Sequence, residues 1–321
     1  MNILLTGGTG FFGKALVPWL LSMFSATGST ITILSRNPES FLRRNPQFYK
    51  HQSLRIHEGD ILHIDSLPQS DSFSHIIHAA TDSTFGPSLT PRERFDQIVI
   101  GTRNLLDFSV SNRAQRFLYV SSGAIYGPQP EGLQGFPEDW IGSPVISNPA
   151  NAYGVGKLAA EHLCHIYRSM YELEVVIARC FAFVGRDLPL DVHFAIGNFI
   201  RDALFEKAIR VFGDGSAVRS YLDQDDLAHW LTTILTDGRN GEAYNVGSDE
   251  AVSIRELANL VRDLVAPEKP VIIEGDIRLS STRNRYVPDI SKARKELFLN
   301  VGVPLSQAIL NTAAAHIQHE C

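Results

Sequence analysis

Cysteine is nearly absent from this 321-residue chain, which holds only Cys164, Cys180 and Cys321. An odd set without CxxC spacing supplies neither a disulfide framework nor a zinc site, and it fits a reducing compartment. A basic excess is missing too: the net charge is −6 and the pI is near 6.0. That excludes a general nucleic-acid surface and leaves anionic small molecules to local arginines. No apolar run is long enough to span a membrane; the most apolar later stretch, residues 15–24, contains Pro18, follows a glycine-rich turn and reads as a core helix. The start of the chain lacks a basic region followed by an apolar segment and a small-residue cleavage site, so no secretion signal is read. The eleven histidines are scattered, and His75, His78, His162, His165 and His193 form no metal-ligating constellation with neighbouring carboxylates. These absences predict a soluble, cytoplasmic protein with no membrane, nucleic-acid or metal partner.

With 44% apolar and 20% charged residues, the chain can bury a large core. Short β-branched runs at residues 3–6, 30–35, 54–58, 75–79, 117–121 and 175–179 alternate with longer segments of helical period. Continuous apolar runs of this kind mark parallel strands buried on both faces, and right-handed crossovers then give a doubly wound α/β sheet. After Arg179 the rhythm changes to a loop-rich stretch with a helix predicted over 196–207 and a strand over 210–212. Residues 244–246 are expected to return to the sheet, Ser253 to cap a helix running to about Val265, and residues 271–274 to form a short strand. The expected division is a dinucleotide-binding domain over 1–180, with a return segment near 225–250, and a smaller C-terminal lobe over 181–321 interleaved with it.

Gly7, Gly10 and Gly13 in TGGTGFFG follow the first strand and open the first helix. Gly7 permits the tight turn, Gly10 lets backbone approach a pyrophosphate, and Gly13 lets helix and sheet pack closely, while the helix N-terminus favours the anion. A Rossmann-type dinucleotide site is the reading. At the end of the second strand an NAD site would hold the ribose hydroxyls with a carboxylate, but the sequence there is ILSRNP. Ser35 and Arg36 offer a hydroxyl and a fixed cation to a 2′-phosphate, which favours NADP(H) over NAD(H). The alternatives for Arg36 are stacking on adenine or facing solvent. Asp60, just beyond the third strand, either meets the adenine amino group or caps a turn.

Tyr153 and Lys157 lie four residues apart in a segment of helical period, so their side chains emerge on one face. A phenol is a poor base at neutral pH, but a neighbouring ammonium favours phenolate, which fits Tyr153 for proton transfer at a sugar oxygen. Ser122 ends a strand on the carboxyl edge of the sheet, where open α/β folds place ligands, and its hydroxyl is placed to hold the reacting oxygen. Each of these residues alone is common in surface helices and turns. The ordered set of glycine loop, Ser122, then Tyr153 and Lys157 is what points to catalysis.

With those residues in place, the chain resembles the extended short-chain dehydrogenase/reductase family of nucleotide-sugar epimerases, dehydratases and 4-ketosugar reductases. The resemblance covers nearly the whole chain: TGGTGFFG, HAAT at 78–81, IGTRNLL at 100–106, VSSGAIYG at 120–127, the Tyr153/Lys157 pair, ARCFAFVGR at 178–186, VFGDGSAVRSYLDQDDLA at 211–228 and YNVG at 244–247. It implies hydride exchange between a nicotinamide and a sugar carbon, with the tyrosine handling the proton. The cofactor contact set read from the chain is Gly7, Gly10, Phe11, Phe12, Gly13, Ser35, Arg36, Asp60, Ile61, Ala79, Ala80, Tyr153 and Lys157. For the substrate, the resemblance implies Arg219 as the diphosphate clamp, with a surface salt bridge to Asp223 or Asp225 as its other reading. Arg278, Arg283 and Arg285 are candidates for a second phosphate contact, of which Arg283 is the one chosen, and Asn198 either faces the nucleotide or simply sits on a helix.

Departures from the family pattern narrow the chemistry. Family 4,6-dehydratases carry an Asp-Glu pair right after the hydroxyl residue; here Gly123 and Ala124 stand there, so standard dehydration is not expected. Ala182 replaces an asparagine that touches substrate phosphate in many relatives, and Ile98 replaces an asparagine before the GT motif. The expectation is an NADPH-linked reductase of a 4-keto-6-deoxy nucleotide hexose. The alternatives are a 4-epimerase with a recycled cofactor and, from another class, a non-catalytic dinucleotide sensor. Relatives often dimerise through paired helices, which implies a homodimer built on the helix over 102–110 and the helix bearing Tyr153.

Overall fold

The computed structural model describes residues 1–24, 28–48, 51–81, 88–275 and 285–318. In chain order the first part runs β1 (Asn2–Thr6), α1 (Phe11–Phe24), β2 (Thr30–Ser35), α2 (Pro38–Arg44), β3 (Leu54–Glu58), β4 (His75–His78), α3 (Pro91–Ser111), β5 (Arg116–Ser122), α4 (Ala152–Met170) and β6 (Glu174–Cys180). Then follow β7 (Phe183–Val184), α5 (Ala195–Phe205), β8 (Ile209–Val211), β9 (Val218–Arg219), β10 (Leu222–Asp223), α6 (Gln224–Asp237) and β11 (Ala243–Val246). The last elements are β12 (Val252–Ser253), α7 (Ile254–Val265), β13 (Val271–Ile273), β14 (Arg285–Tyr286), α8 (Ser291–Leu297) and α9 (Leu305–Gln318). Each predicted strand of the first half forms within a residue of its expected ends. The chain divides into two compact units: Met1–Ile125 with Gly142–Arg179 and Ala228–Tyr244, and Tyr126–Ile141 with Cys180–Leu227 and Asn245–Cys321.

The seven-stranded sheet has the order β11-β6-β5-β4-β1-β2-β3. The pairs β1–β2, β1–β4, β2–β3 and β4–β5 are all parallel. The inner strands β1, β2 and β5 do not alternate in burial, because a parallel sheet is covered on both faces, whereas the edge strand β3 is partly exposed. On one face Leu4, Ile76, Phe117, Tyr119 and Ile177 pack against Leu105 and Phe108 of α3 and Ala160 and Cys164 of α4. α1 meets α6 through Trp19 and His229, whose rings are 5.4 Å apart. Strand order reverses at β1, which lies between β4 and β2. That places the turn after β1 at the switch point where open α/β sheets take ligands.

α3 starts at a complete capping box, with Thr90 accepting from the Glu93 amide and Glu93 reaching back to Thr90. It runs beside α4, tied by the Tyr167 hydroxyl donating to Asp107. Ile98 faces α4 at Gly156, where an added Cβ would already stand 3.4 Å from it. The isoleucine that replaces the family's asparagine is therefore a core packing residue, 1% exposed.

In the second unit β8 pairs in parallel with β13, β7 with β10, and β9 lies between β12 and β14. Ser253 caps α7 as expected, in a box with Glu256. The segment after β5 belongs to this unit: the Phe136 amide donates to Val287 O at 3.0 Å and the Asp289 amide to Phe136 O at 2.9 Å. Asn245, the second residue of YNVG, fastens the same place, its Nδ2 donating to Phe136 O at 2.7 Å and to Asp289 O at 2.9 Å. The Tyr126 hydroxyl closes the set by donating to Asn245 Oδ1 at 2.8 Å.

Candidate active site

The glycine loop shows which of its glycines the fold itself requires. Gly7 has φ +76°, and a Cβ there would lie 2.5 Å from the Ala79 carbonyl oxygen. At Gly13 it would lie 2.1 Å from the Gly8 carbonyl carbon. Both positions exclude any side chain, by conformation or by close approach of backbone. Gly8, which sequence reasoning passed over, is equally constrained, because a Cβ would strike Ile33 at 2.7 Å. Gly10 differs: the nearest atom to its Cβ position is Gly7 O at 3.6 Å, so protein packing does not demand glycine there. Bare backbone at Gly10 leaves open space beside the start of α1, where helix N-terminal amides favour an anion. Phe11 and Phe12 open α1, half-buried, with ring centroids 5.9 Å apart.

Around this loop the other cofactor candidates are held by neighbouring strands. Ala79 and Ala80 follow β4, their amides donating to Thr6 O at 3.2 Å and to Thr6 Oγ1 at 3.3 Å. His78, 2% exposed, bridges Thr6 Oγ1 at 2.8 Å and Thr102 Oγ1 at 3.1 Å. Thr102 gives its own proton to Ile98 O at 2.6 Å. His78 therefore donates from Nε2 and, being held neutral by burial, accepts at Nδ1 from Thr6 Oγ1. Burial, helped by the charge of Lys157, pushes its pKa down to about 3. The histidine of HAAT is thus a core tie between β1, β4 and α3.

Asp60 follows β3, where its Oδ1 accepts from the Leu62 amide at 3.0 Å, a turn cap. Ile61 is buried beneath Gly101, where a Cβ would stand 2.5 Å from its side chain, and Asn104 Nδ2 donates to Ile61 O at 2.9 Å. The GTRN motif therefore holds the Asp60–Ile61 turn in place. At the end of β2, Ser35 is 8% exposed and accepts from the Asn37 amide at 3.2 Å. Arg36 beside it is exposed and has no hydrogen-bond or ion-pair partner among the described residues.

Ser122 closes β5 at its carboxyl end, and the start of α4, which carries Tyr153 and Lys157, packs beside that end. Lys157 is 2% exposed and donates to Val120 O at 2.7 Å, two residues before Ser122, and to Thr81 Oγ1 at 2.8 Å. Its ammonium lies 5.9 Å from the Tyr153 ring and 4.9 Å from that of Tyr119. Ser122 accepts from the Ala124 amide at 3.1 Å. The first turn of α4 closes on this same turn: a Cβ on Gly154 would be 2.8 Å from Ala124 O. One turn beyond Lys157, buried Glu161 accepts from Ser121 and pairs with Arg179 at 2.9 Å. Breaking one side of such a buried pair typically costs about 3–5 kcal/mol. Sequence reasoning missed the roles of Thr81 and Glu161, although Thr81 closes the quoted HAAT motif. Among the described residues no cluster of three or more His, Cys, Asp or Glu is placed to hold a metal. Nor is any described helix long and apolar enough to cross a membrane. The thiol of Cys164 is buried, which raises its pKa well above the usual value.

In the second unit, Arg219 sits on β9 opposite Val252, with Nη1 donating to Val218 O at 2.8 Å. Asp225, one of its candidate salt-bridge partners, pairs with Arg186 at 2.8 Å. Asn198 lies on α5 with its Oδ1 buried and without a hydrogen-bond partner among the described residues. A buried carbonyl left in this way is costly unless another donor meets it. Arg285 gives its Nε to Gln134 O at 2.8 Å. Arg278 and Arg283 lie outside the described residues.

Residues 3–247 match the NAD dependent epimerase/dehydratase family. UDP-glucuronic acid decarboxylase 1 of Danio rerio is 28% identical, the alignment covering 97% of this chain and 71% of the relative. The low-salt glycan biosynthesis protein Agl12 of Haloferax volcanii is 30% identical, covering 92% of each. The crystal structure of the UDP-glucose 4-epimerase of Thermotoga maritima has a TM-score of 0.86 at 22% identity over the whole of both chains, a likeness of fold.

Proposed function

From the premise that the chain belongs to the NAD-dependent epimerase/dehydratase family, enzymes of the extended short-chain dehydrogenase/reductase type, we propose that it reduces a 4-keto-6-deoxy nucleotide hexose with NADPH. The observation that carries this reading is the end of β2, where buried Ser35 and exposed Arg36 stand in place of a carboxylate and Arg36 has no partner among the described residues. A guanidinium there suits a ribose 2′-phosphate, whereas a carboxylate would repel it. Gly123 and Ala124, where family dehydratases carry their acid and base, direct the reading away from dehydration.

The residues that would hold the dinucleotide are the Gly7–Gly13 turn, Phe11, Phe12, Ser35, Arg36, Asp60, Ile61, Ala79 and Ala80, and the bare backbone at Gly10 fits that role. A bound nicotinamide supplies hydride exchange with the sugar carbon. Tyr153 gives its proton to the keto oxygen, Ser122 holds that oxygen by its hydroxyl, and Lys157 orients the ribose and favours the tyrosinate left behind. Arg219 and Asn198, with Arg283, would take the nucleotide diphosphate portion. A homodimer through α3 and α4 is part of the same reading, checked by sedimentation.

The test is to identify any dinucleotide retained on purification by mass spectrometry and then to follow NADPH loss with UDP-, dTDP-, CDP- and GDP-linked 4-keto-6-deoxy sugars. NADPH consumption, with the preference for NADPH over NADH reduced about tenfold or more in Arg36→Ala, is the expected result. Tightly retained NAD, no NADPH loss and interconversion of two sugars without net redox change would replace the reductase reading with a 4-epimerase. Retained dinucleotide without turnover on any sugar would leave a sensor.

A further inference from the structure

Tyr153 has a second cation beside it that neither the sequence motifs nor the proposed mechanism uses. Arg94 lies in the first turn of α3, and its guanidinium carbon is 4.6 Å from the centroid of the Tyr153 ring. Its chain neighbours are engaged elsewhere: Arg92 pairs with Asp96 at 3.5 Å, and Glu93 is turned back into the capping box with Thr90. The Arg94 side chain has no ion-pair or hydrogen-bond partner among the described residues, and its Nε is buried without one. The aromatic ring is thus the contact that its charge makes.

Titratable groups reach Tyr153 from more than one packed element. Lys157 comes from its own helix at 5.9 Å, Arg94 from α3 at 4.6 Å, and neutral Tyr119 from β5. Glu161, further along α4, is compensated by Arg179 at 2.9 Å. Two cations, Arg94 and Lys157, thus stand beside this phenol. A cation over a ring is attracted by its electron-rich face, and more strongly once ionisation spreads negative charge into that ring.

We propose that Arg94 is a positioning residue for Tyr153, fixing the ring from the α3 side and, together with Lys157, favouring its ionised form. This rests on reading Tyr153 as the proton carrier, so the test has a readout that needs no substrate. The protein is labelled with 13Cζ-tyrosine, the Tyr153 resonance is assigned by its loss in Tyr153→Phe, and its titration is followed with pH in the free protein. In Arg94→Met the midpoint should rise by about one pH unit, and Arg94→Lys should recover most of that shift. Arg94→Gln is a second neutral variant that must move the midpoint the same way. A midpoint unchanged in a folded neutral variant overturns the proposal. If the midpoint moves yet no nucleotide sugar is turned over, the role of Arg94 stands and the reductase reading falls.

Discussion

In the first unit the groups read as handling the proton are held by the protein itself, whereas in the second unit a group read as meeting the substrate has hydrogen-bonding capacity that no described residue fills. Lys157 is buried on two oxygen acceptors, Val120 O and Thr81 Oγ1, and Glu161 behind it is closed by Arg179 and Ser121. Asn198 buries Oδ1 against no donor among the described residues. A group fixed beforehand acts at the transition state without reorganising, and a group with open capacity acts when a ligand arrives. The two kinds of residue should separate in kinetics.

The largest effect is expected at Tyr153. Tyr153→Phe should lower kcat by about 10²–10⁴-fold with little change in KM, since it removes proton transfer and leaves the ring in place. Steady-state kinetics on the turned-over sugar measures it; a loss confined to KM would break the division. Next comes Arg219→Ala, expected to raise KM by about 10–100-fold while kcat changes far less. If it instead depresses kcat as deeply as Tyr153→Phe, the two units do not divide the work in this way.

The smallest effect tests how closed the first unit is. His78 titrates near 3 when folded and near 6.5 as a free group. Between those values the unfolded chain binds a proton that the folded chain refuses, so stability falls as pH drops from about 6.5 towards 3. His78→Gln should be less stable at neutral pH, having lost the tie between Thr6 and Thr102, yet show a flatter decline between pH 7 and pH 5 in urea denaturation. An unchanged slope would mean that His78 does not bear the acid sensitivity of this core.

The strands of the first half were legible because parallel strands buried on both faces leave uninterrupted apolar runs, and their ends fall where polar residues resume. Helix α7 was legible from Ser253, since a capping serine with Glu256 three residues on satisfies the exposed amides locally. Arg36 and the Tyr153/Lys157 spacing were legible for the same reason, being fixed by a strand end and a helical turn. What escaped sequence reading is held by long-range contact. Arg94 meets Tyr153 across two helices, Glu161 meets Arg179 from a helix to a strand, and Asn245 gathers Phe136 and Asp289 from remote loops.

By itself, the sequence determined the alternation of strands and helices, the glycine turn and the ordered serine, tyrosine and lysine, because each depends on spacing along a few residues. Only the tertiary structure decided which glycines packing demands, Gly7, Gly8 and Gly13 but not Gly10, and which cations stand around Tyr153. Those depend on the distance between segments that are far apart in the chain, and that distance exists only once the sheet and its helices have closed.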